Sequence, residues 1–130
     1  MAIQKTIVQT PKAPTPVGPY SQGVVLDGWL WTCGQVALDP ATGTMQGTDA
    51  VTQADRALRN LEAVLLAAGT DLARVVKVTV YLTSMDDYTP VNEVYEEYFS
   101  GGFPARSCVE VSRLPLGARV MIDAVARVAS

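Results

Sequence analysis

The sequence predicts one α+β domain, residues 1–130, in which a mixed six-stranded sheet carries both of its helices on one face. Three observations lead to this prediction. Short apolar segments with period-two alternation recur along the chain and indicate strands. A two-residue turn joins two of these segments into a hairpin, and two longer stretches repeat apolar residues every three or four positions, as amphipathic helices do. A chain of 130 residues is long enough to bury a core of its own.

The hairpin is predicted over residues 24–31, with Asp27-Gly28 as its turn. This register predicts two cross-strand pairs on one face of the sheet, Val24 with Trp31 and Leu26 with Trp29. Cys33 continues that face. Gly34 follows at a position where a backbone N–H can approach a ligand without a side chain in the way.

Four further segments predict strands: residues 3–9, 75–82, the part of 103–112 that follows Pro104, and 119–128. Pro104 marks an entrance because proline cannot donate a hydrogen bond to a sheet. In the 75–82 strand one face is predicted to be wholly apolar; it consists of Val76, Val78, Val80 and Leu82. In the last strand, Met121, Asp123 and Val125 share the face opposite Ile122.

The first helix is predicted from Asp49, as its N-cap, to Gly69, as its C-terminal stop. Its expected buried stripe is Val51, Ala54, Leu58, Leu61, Leu65 and Ala68. The second helix is capped by Asp87 and ends at Gly101-Gly102, and its expected buried stripe is Tyr88, Val91, Tyr95 and Tyr98. This assignment leaves Asn92 away from the centre of the second stripe.

Two helices cover only one face of the sheet. The other face would expose a group of large apolar side chains, Trp29, Trp31, Met121 and Val125. Because soluble monomers rarely expose a contiguous apolar surface of this kind, we expect this face to be buried against other subunits. Composition alone predicts an oligomer of unspecified size.

The composition also narrows the class of function. The net charge is −3 and no run of basic residues occurs, so we expect no nucleic-acid partner. No apolar segment reaches the ~20 residues that a membrane span needs, and residues 1–6 lack the apolar core of a signal peptide. We therefore expect no membrane association and a cytoplasmic location.

The absence of histidine excludes several common catalytic sites. It removes Ser-His-Asp and Cys-His nucleophile pairs and HExxH zinc sites, and two cysteines cannot complete a zinc site. No metal site is therefore expected. Any chemistry must use Arg, Asp, Glu, Tyr, Cys or the backbone.

Arg106 is the first candidate for a site. It leaves the same side of its predicted strand as Cys108, and a guanidinium fork fits a carboxylate or phosphate with two parallel hydrogen bonds. If the uncovered face lines a cleft between subunits, Cys33 and Asp123 point into it with these two residues. Two simpler interpretations stay open: an edge strand that shows polar residues to water, and a structural ion pair between Arg106 and Asp123.

The block Phe103-Pro-Ala-Arg-Ser-Cys-Val-Glu-Val111 resembles the signature of the RidA/YjgF family of reactive-intermediate deaminases. Further matches follow the order of that family: Gly18-Pro-Tyr-Ser-Gln22, Gly34-Gln35 and Val91-Asn-Glu-Val-Tyr95. The resemblance spans nearly the whole chain. It implies a chorismate-mutase-like sheet, assembled as a homotrimer with sites between the subunits.

The same resemblance implies hydrolysis of 2-imino acids, such as 2-iminobutanoate and 2-iminopropanoate, to 2-keto acids and ammonia without a cofactor. Arg106 would hold the substrate carboxylate together with the Gly34 N–H, while Tyr20 and Asn92 would line the pocket. Cys108 would shape its wall without acting as a nucleophile. The chain has Cys33 where the family typically has serine.

Asp123 stands where the family typically has glutamate, which is longer by one methylene. Ordinary phenols and thiols lose their protons well above neutral pH, which argues against Tyr20 and Cys108 as bases, and Glu110 is expected to lie further from the strand's entrance, toward the Leu114 turn. This leaves Asp123 to activate or orient the attacking water. Two other functions stay open: a non-catalytic sensor of 2-keto acids, and the ribonuclease or translation-inhibitor activity attributed to some relatives.

Overall fold

The computed structural model describes residues 4–128. In this part of the chain the strands are β1 (Thr6–Val8), β2 (Gly23–Leu26), β3 (Trp29–Thr32), β4 (Val75–Leu82), β5 (Ala105–Glu110) and β6 (Val120–Arg127), and the α-helices are α1 (Ala50–Ala67) and α2 (Tyr88–Tyr98). One sheet holds the strands in the order β1-β2-β3-β6-β4-β5. The β4–β5 pair is parallel and the others are antiparallel, which confirms the mixed α+β sheet. Position 3 of the first predicted strand lies outside the described residues.

The core lies between the two helices and one face of the sheet. Side chains of α1, β4 and β6 are fully buried there, among them Leu58, Leu61, Leu65, Val78, Val80 and Ile122. Burial of side chains of this size is the main stabilising contribution to such a fold, at about 1.5–3 kcal/mol each. No helix within residues 4–128 combines the length and the apolar character that a membrane crossing requires.

The register of the hairpin and both ends of the first helix agree with the sequence prediction. Val24 pairs with Trp31 and Leu26 with Trp29 across the Asp27-Gly28 turn. The Asp49 carboxylate accepts a hydrogen bond from the Thr52 N–H, and Gly69 has the left-handed φ of 81° that ends the helix.

Three residues lie on a different face from the one that the sequence predicts, each for a local reason. Val51 is exposed, because the first turn of α1 buries Gln53, whose amide bonds the Gly47 carbonyl and the Arg119 N–H. Val76 is 43% exposed, because a bulge between Val75 and Lys77 shifts the alternation and turns Val75 inward.

The third correction is in α2. Tyr88 is expected in the buried stripe but is exposed, and Val94 is buried instead. The Tyr88 hydroxyl lies against Arg106 of β5 instead of entering the core. Tyr98 is only partly buried, and its hydroxyl donates to the Asp55 carboxylate at 2.7 Å. At an apolar position of a helix, the hydrogen bond of a tyrosine hydroxyl can therefore decide where the side chain lies, in place of the burial of its ring. Asp87 precedes α2 without a side-chain capping hydrogen bond.

The sheet face away from the helices is apolar, as expected. Trp31 is 55% exposed there, and Ile7 and Val109 of the edge strands are also exposed. Trp31 pairs with Val125 of β6, so the apolar surface continues across the centre of the sheet. We call this surface the open face.

Candidate active site

Arg106 is held in a fixed orientation by residues of α2. Its Nη1 donates to Oδ1 of Asn92 at 2.8 Å, and its Nη2 donates to the Tyr88 hydroxyl at 3.1 Å. The guanidinium carbon lies 4.8 Å from the ring centroid of Tyr95 and 5.5 Å from that of Tyr88. Hydrogen bonds and aromatic rings thus orient the planar fork before any ligand arrives.

The fork keeps its capacity to bind an anion. Among residues 4–128 the ion pairs are Arg59–Asp55 and Arg74–Asp71, so no carboxylate of this part of the chain neutralises Arg106. Beside the guanidinium lies a pocket of about 280 Å³, lined by Asn92, Tyr95, Glu96, Phe103, Pro104 and Arg106. An oriented but unpaired guanidinium in a pocket is suited to a carboxylate.

Gly34 and Tyr20 meet in a second pocket. Its volume is about 180 Å³, and it is lined by Val17, Tyr20, Cys33, Gly34, Val36, Leu38, Pro115, Leu116 and Met121. A Cβ at position 34 would lie 2.6 Å from Sδ of Met121, so a larger residue there would require the Met121 side chain to move. The Gly34 N–H donates to no other described residue and is available to a ligand.

Tyr20 is placed by the segment before it, which contains Pro11, Pro14, Pro16 and Pro19, and by Gln22, to which the sequence assigns no role. The Tyr20 hydroxyl accepts a hydrogen bond from the Val17 N–H at 3.2 Å. Gln22, which is buried, donates to the Pro14 carbonyl at 2.9 Å and accepts from the Thr10 N–H at 2.7 Å. A single sequence offers no signal for this role beyond the position of a polar residue next to a strand.

Asn60 is a second residue that the sequence reasoning missed. It is fully buried in α1 and donates to the carbonyls of Val36 and Leu38, at 3.0 and 2.8 Å. These two residues form a wall of the Gly34 pocket. The available signal was a polar residue placed between Leu58 and Leu61 on the buried side of the helix.

Asp123 lies on the open face and is half-buried. Its Oδ2 accepts a hydrogen bond from the Tyr81 hydroxyl at 3.1 Å. Burial raises the pKa of this carboxyl above its ordinary 3.8, against smaller lowering effects of the Tyr81 hydrogen bond and of Lys77. Glu110 is not a competing base, because its carboxylate accepts from the Met85 N–H at 2.8 Å.

Both thiols are kept neutral. Burial raises the pKa of Cys33 to about 11, and the nearby Asp123 charge contributes to this rise. Burial also raises the pKa of Cys108, although the Arg106 charge opposes it. A neutral thiol is a poor nucleophile. Cys33 lines the Gly34 pocket, whereas Cys108 lines neither of the two pockets described above, and its role as pocket wall stays a prediction.

Arg106 and Asp123 do not face the same cleft within one chain. Arg106 is aligned with Val78 in the β4–β5 ladder, and Cys108 with Val80, which places both on the helix side. Asp123 is aligned with Thr79, on the open face. The expectation that all four side chains point from the open face is therefore wrong for Arg106 and Cys108, and no Arg106–Asp123 ion pair forms within the chain.

The described chain thus carries two half-sites. The anchor half consists of Arg106 with Tyr88, Asn92, Tyr95 and Cys108, and the glycine half consists of Gly34 with Tyr20, Cys33 and the nearby Asp123. Within residues 4–128 no three His, Cys, Asp or Glu side chains come together as metal ligands. That the site works without metal or cofactor stays a prediction.

Known proteins resemble this chain along nearly its full length. The family model described as Endoribonuclease L-PSP matches residues 10–128. A Mus musculus protein named 2-iminobutanoate/2-iminopropanoate deaminase is 46% identical over 125 residues, covering 96% of this chain and 93% of its own. A RutC family protein of Synechocystis is 52% identical over 122 residues, covering 92% and 94%.

The fold is shared as closely as the sequence. The crystal structure of the YjgF gene product from E. coli superposes with a TM-score of 0.90 at 39% identity, covering 94% of this chain and 98% of that one. A match of this extent, together with the family model and the relatives above, means that the chain belongs to the RidA/YjgF family.

Proposed function

We propose that this protein hydrolyses 2-imino acids, such as 2-iminobutanoate and 2-iminopropanoate, to 2-keto acids and ammonia, at sites assembled from two copies of the chain. The observation that carries the proposal is the Arg106 guanidinium, oriented by Asn92 and Tyr88 and unpaired among the described residues. A 2-imino acid offers the matching group, a single fixed carboxylate. The name of the 46% identical mouse protein supports the same substrate class.

Binding would hold the reactive carbon in place. Arg106 receives the carboxylate, and the free N–H of Gly34 donates to it from the other half-site. Asn92 lines the pocket beside Arg106, Cys108 lies on the same side of β5, and Tyr20 would close the site from the glycine half. Since C2 is bonded directly to the carboxylate carbon, fixing the carboxylate also fixes C2 relative to the attacking water.

The reaction needs one water and no redox step. The water oxygen attacks C2, the C=N π-electrons move to nitrogen, and a proton from the water reaches that nitrogen. The resulting carbinolamine then loses ammonia as its hydroxyl proton departs, and C2 becomes a ketone. Asp123 accepts and returns the transferred proton or fixes the water, which is the work of a positioned carboxylate.

The two half-sites require an assembly. Because Arg106 and Asp123 leave opposite faces of one sheet, a site that uses both takes them from different copies. Arg106 lies on β5, an edge strand of the sheet, so a contact that places the glycine half of one chain against this edge of the next would bring it to the anchor half. A homotrimer is the assembly that the family resemblance implies, and a closed ring fits a head-to-tail contact of this kind.

The family model is described as Endoribonuclease L-PSP, which favours ribonuclease activity as a second candidate. Two features of the chain weigh against it. The net charge is −3, and there is no histidine for the acid–base chemistry of RNA cleavage. A 2-keto acid sensor differs from the deaminase only in lacking turnover.

A coupled assay tests the proposal. A pyridoxal-phosphate dehydratase generates 2-iminobutanoate from threonine or 2-iminopropanoate from serine, and the decay of the imine is followed with and without the protein. We expect faster ammonia release with wild type and the uncatalysed rate with Arg106→Ala. Binding of 2-oxobutanoate with no effect on imine decay would support the sensor instead, and RNA cleavage by the same preparation would support the ribonuclease.

A further inference from the structure

Leu116 has an unusual conformation for its residue type. It lies in the 3₁₀ turn Pro115–Gly117 with φ 60° and ψ 25°, a left-handed conformation that leucine rarely adopts. Its side chain is 59% exposed. The chain therefore tolerates local strain in a turn that carries an exposed apolar side chain, and strain of this kind clusters at ligand-binding and other functional sites.

The strained turn forms one wall of the Gly34 pocket. Leu116 lines this pocket together with Val17, Leu38 and Met121. No Asp, Glu, Lys or Arg occurs among the residues that line it. Cys33, whose thiol feels the Asp123 charge, is neutral because burial raises its pKa to about 11. A charged group on the substrate side chain would lose its hydration here without a side chain of opposite charge to pair with, since the Gly34 N–H is taken by the substrate carboxylate.

The pocket is larger than the smallest imino acids need. A volume of about 180 Å³ is many times the ~10–15 Å³ that a single water needs in a cavity, so the space exceeds what a methyl group fills. The side chain of 2-iminopropanoate is a methyl group and that of 2-iminobutanoate an ethyl group. A four-carbon isobutyl group would fill the space better and remove more apolar surface from water.

We propose that this pocket receives the side chain carried by C2 of the substrate, and that Leu116 makes the protein prefer larger apolar side chains to methyl. The inference rests on the proposed imino-acid function, because Gly34 must lie beside the substrate carboxylate. With the carboxylate at Gly34 and Arg106, the substituent on C2 enters the space between Leu116 and Met121. Leu116 is then a specificity-determining residue, and the left-handed backbone of its turn places its side chain at the entrance of the pocket.

The first experiment compares two stable 2-keto acids in binding. Pyruvate and 4-methyl-2-oxopentanoate carry methyl and isobutyl groups, and each is titrated into the intact protein by calorimetry. We expect the larger acid to bind at least about tenfold more tightly. Leu116→Glu, which puts a charge at the pocket mouth, should lower this ratio by at least about tenfold, because the isobutyl group loses its apolar contact.

Two further variants separate specificity from folding. Leu66→Glu changes a leucine of the same exposure, 60%, on helix α1 away from this pocket, and should leave the ratio unchanged. Leu116→Gly suits the left-handed backbone better than leucine does, so it should fold at least as well as wild type and still lose most of the preference. A wild-type ratio near one, or a ratio that survives Leu116→Glu, would overturn the inference.

Measurements of imine hydrolysis separate the proposed role of Leu116 from the deaminase function on which it rests. D-amino-acid oxidase produces the corresponding imines from D-alanine and D-leucine, and C2 is no longer a stereocentre in either product. Faster hydrolysis of the leucine-derived imine, with the preference lost in Leu116→Glu, supports both proposals. A binding preference without any hydrolysis refutes only the deaminase function. Hydrolysis without a preference refutes only the role of Leu116, and failure to bind either keto acid refutes both.

Discussion

Arg106 and Asp123 are aligned with consecutive residues of the same strand, Val78 and Thr79, and therefore leave the sheet on opposite faces. Side chains of consecutive strand residues point in opposite directions, so no rotamer change can bring the two groups together within one chain. A mechanism that uses both of them requires at least two copies. The proposed reaction therefore requires the assembly, in addition to any stabilisation of the fold that the assembly provides.

The first prediction concerns the assembly itself. Light scattering coupled to size exclusion should give a mass of about three times the 13.9 kDa chain. Trp31→Glu places a charge in the centre of the open face and should lower this mass, because the charge would be buried without a partner. Val51→Glu, at an exposed position of α1, is the matched control and should leave the mass unchanged. A monomeric wild type at micromolar concentration would remove the basis for a shared site.

The second prediction follows from the opposite faces. Arg106→Ala and Asp123→Asn should each be nearly inactive alone, whereas co-expressed copies of the two should recover about one quarter of the wild-type rate. The reason is that some sites then receive both intact residues from different copies. Co-expression of Arg106→Ala with the double variant provides the control and should recover nothing. If the mixed assembly of single variants stays inactive, the two residues do not meet in one site.

The third prediction concerns the fork of Arg106. Arg106→Ala and Arg106→Lys should both lose turnover by roughly a factor of 30 to several thousand, since loss of a partly buried charged contact costs about 2–5 kcal/mol. Lysine keeps the charge but cannot bond Asn92, Tyr88 and a carboxylate in one plane. Imine hydrolysis and 2-oxobutanoate affinity are the measurements, with circular dichroism to check folding. Near-normal hydrolysis by Arg106→Ala would place the site elsewhere.

The fourth prediction concerns catalysis by Asp123. Asp123→Asn should leave keto-acid binding nearly intact and lower turnover at least about a hundredfold, because the amide cannot accept a proton. Asp123→Glu should keep activity, as it restores the side chain typical of the family. The measurement is the rate of imine hydrolysis beside 2-oxobutanoate affinity. A wild-type rate in Asp123→Asn would mean that other groups hold the water.

The raised pKa of Asp123 also predicts how stability depends on pH. The native carboxyl binds its proton more tightly than the unfolded one, so its ionisation lowers wild-type stability as pH rises through the native pKa, which lies above 3.8. Asp123→Asn should therefore raise the melting temperature relative to wild type at pH 7, and the difference should shrink toward about pH 4. A lower melting temperature of the variant at pH 7 would show that the ionised carboxylate stabilises the fold.

The last prediction concerns the two thiols. With a pKa of about 11, only about one Cys33 thiol in ten thousand is ionised at pH 7. Iodoacetamide should therefore modify the native protein much more slowly than the unfolded chain. Cys33→Ser and Cys108→Ala should keep turnover within about a factor of ten of wild type, far from the loss that follows removal of a nucleophile. Inactivation by either change without loss of folding would assign the thiol a direct role.

The sequence by itself determined the local geometry of this protein. An Asp27-Gly28 turn permits one tight hairpin register, and that register is observed. Asp49 and Gly69 limit α1 through their own backbone preferences and hydrogen bonds. Arg106 and Cys108 share a side of β5 because they are two residues apart, whatever surrounds them.

Only the tertiary structure decided how these local units relate to each other. Alternation shows which residues of one strand point together, but not which side the helices cover. The parallel alignment of β5 with β4 placed Arg106 on the helix side, and one extra residue in β4 reversed Val75 and Val76. Tyr88 left the core because Arg106, 18 positions away in sequence, offered its hydroxyl a hydrogen-bond donor. Each of these outcomes depends on a partner distant in sequence, and periodicity along a single segment contains no information about that partner.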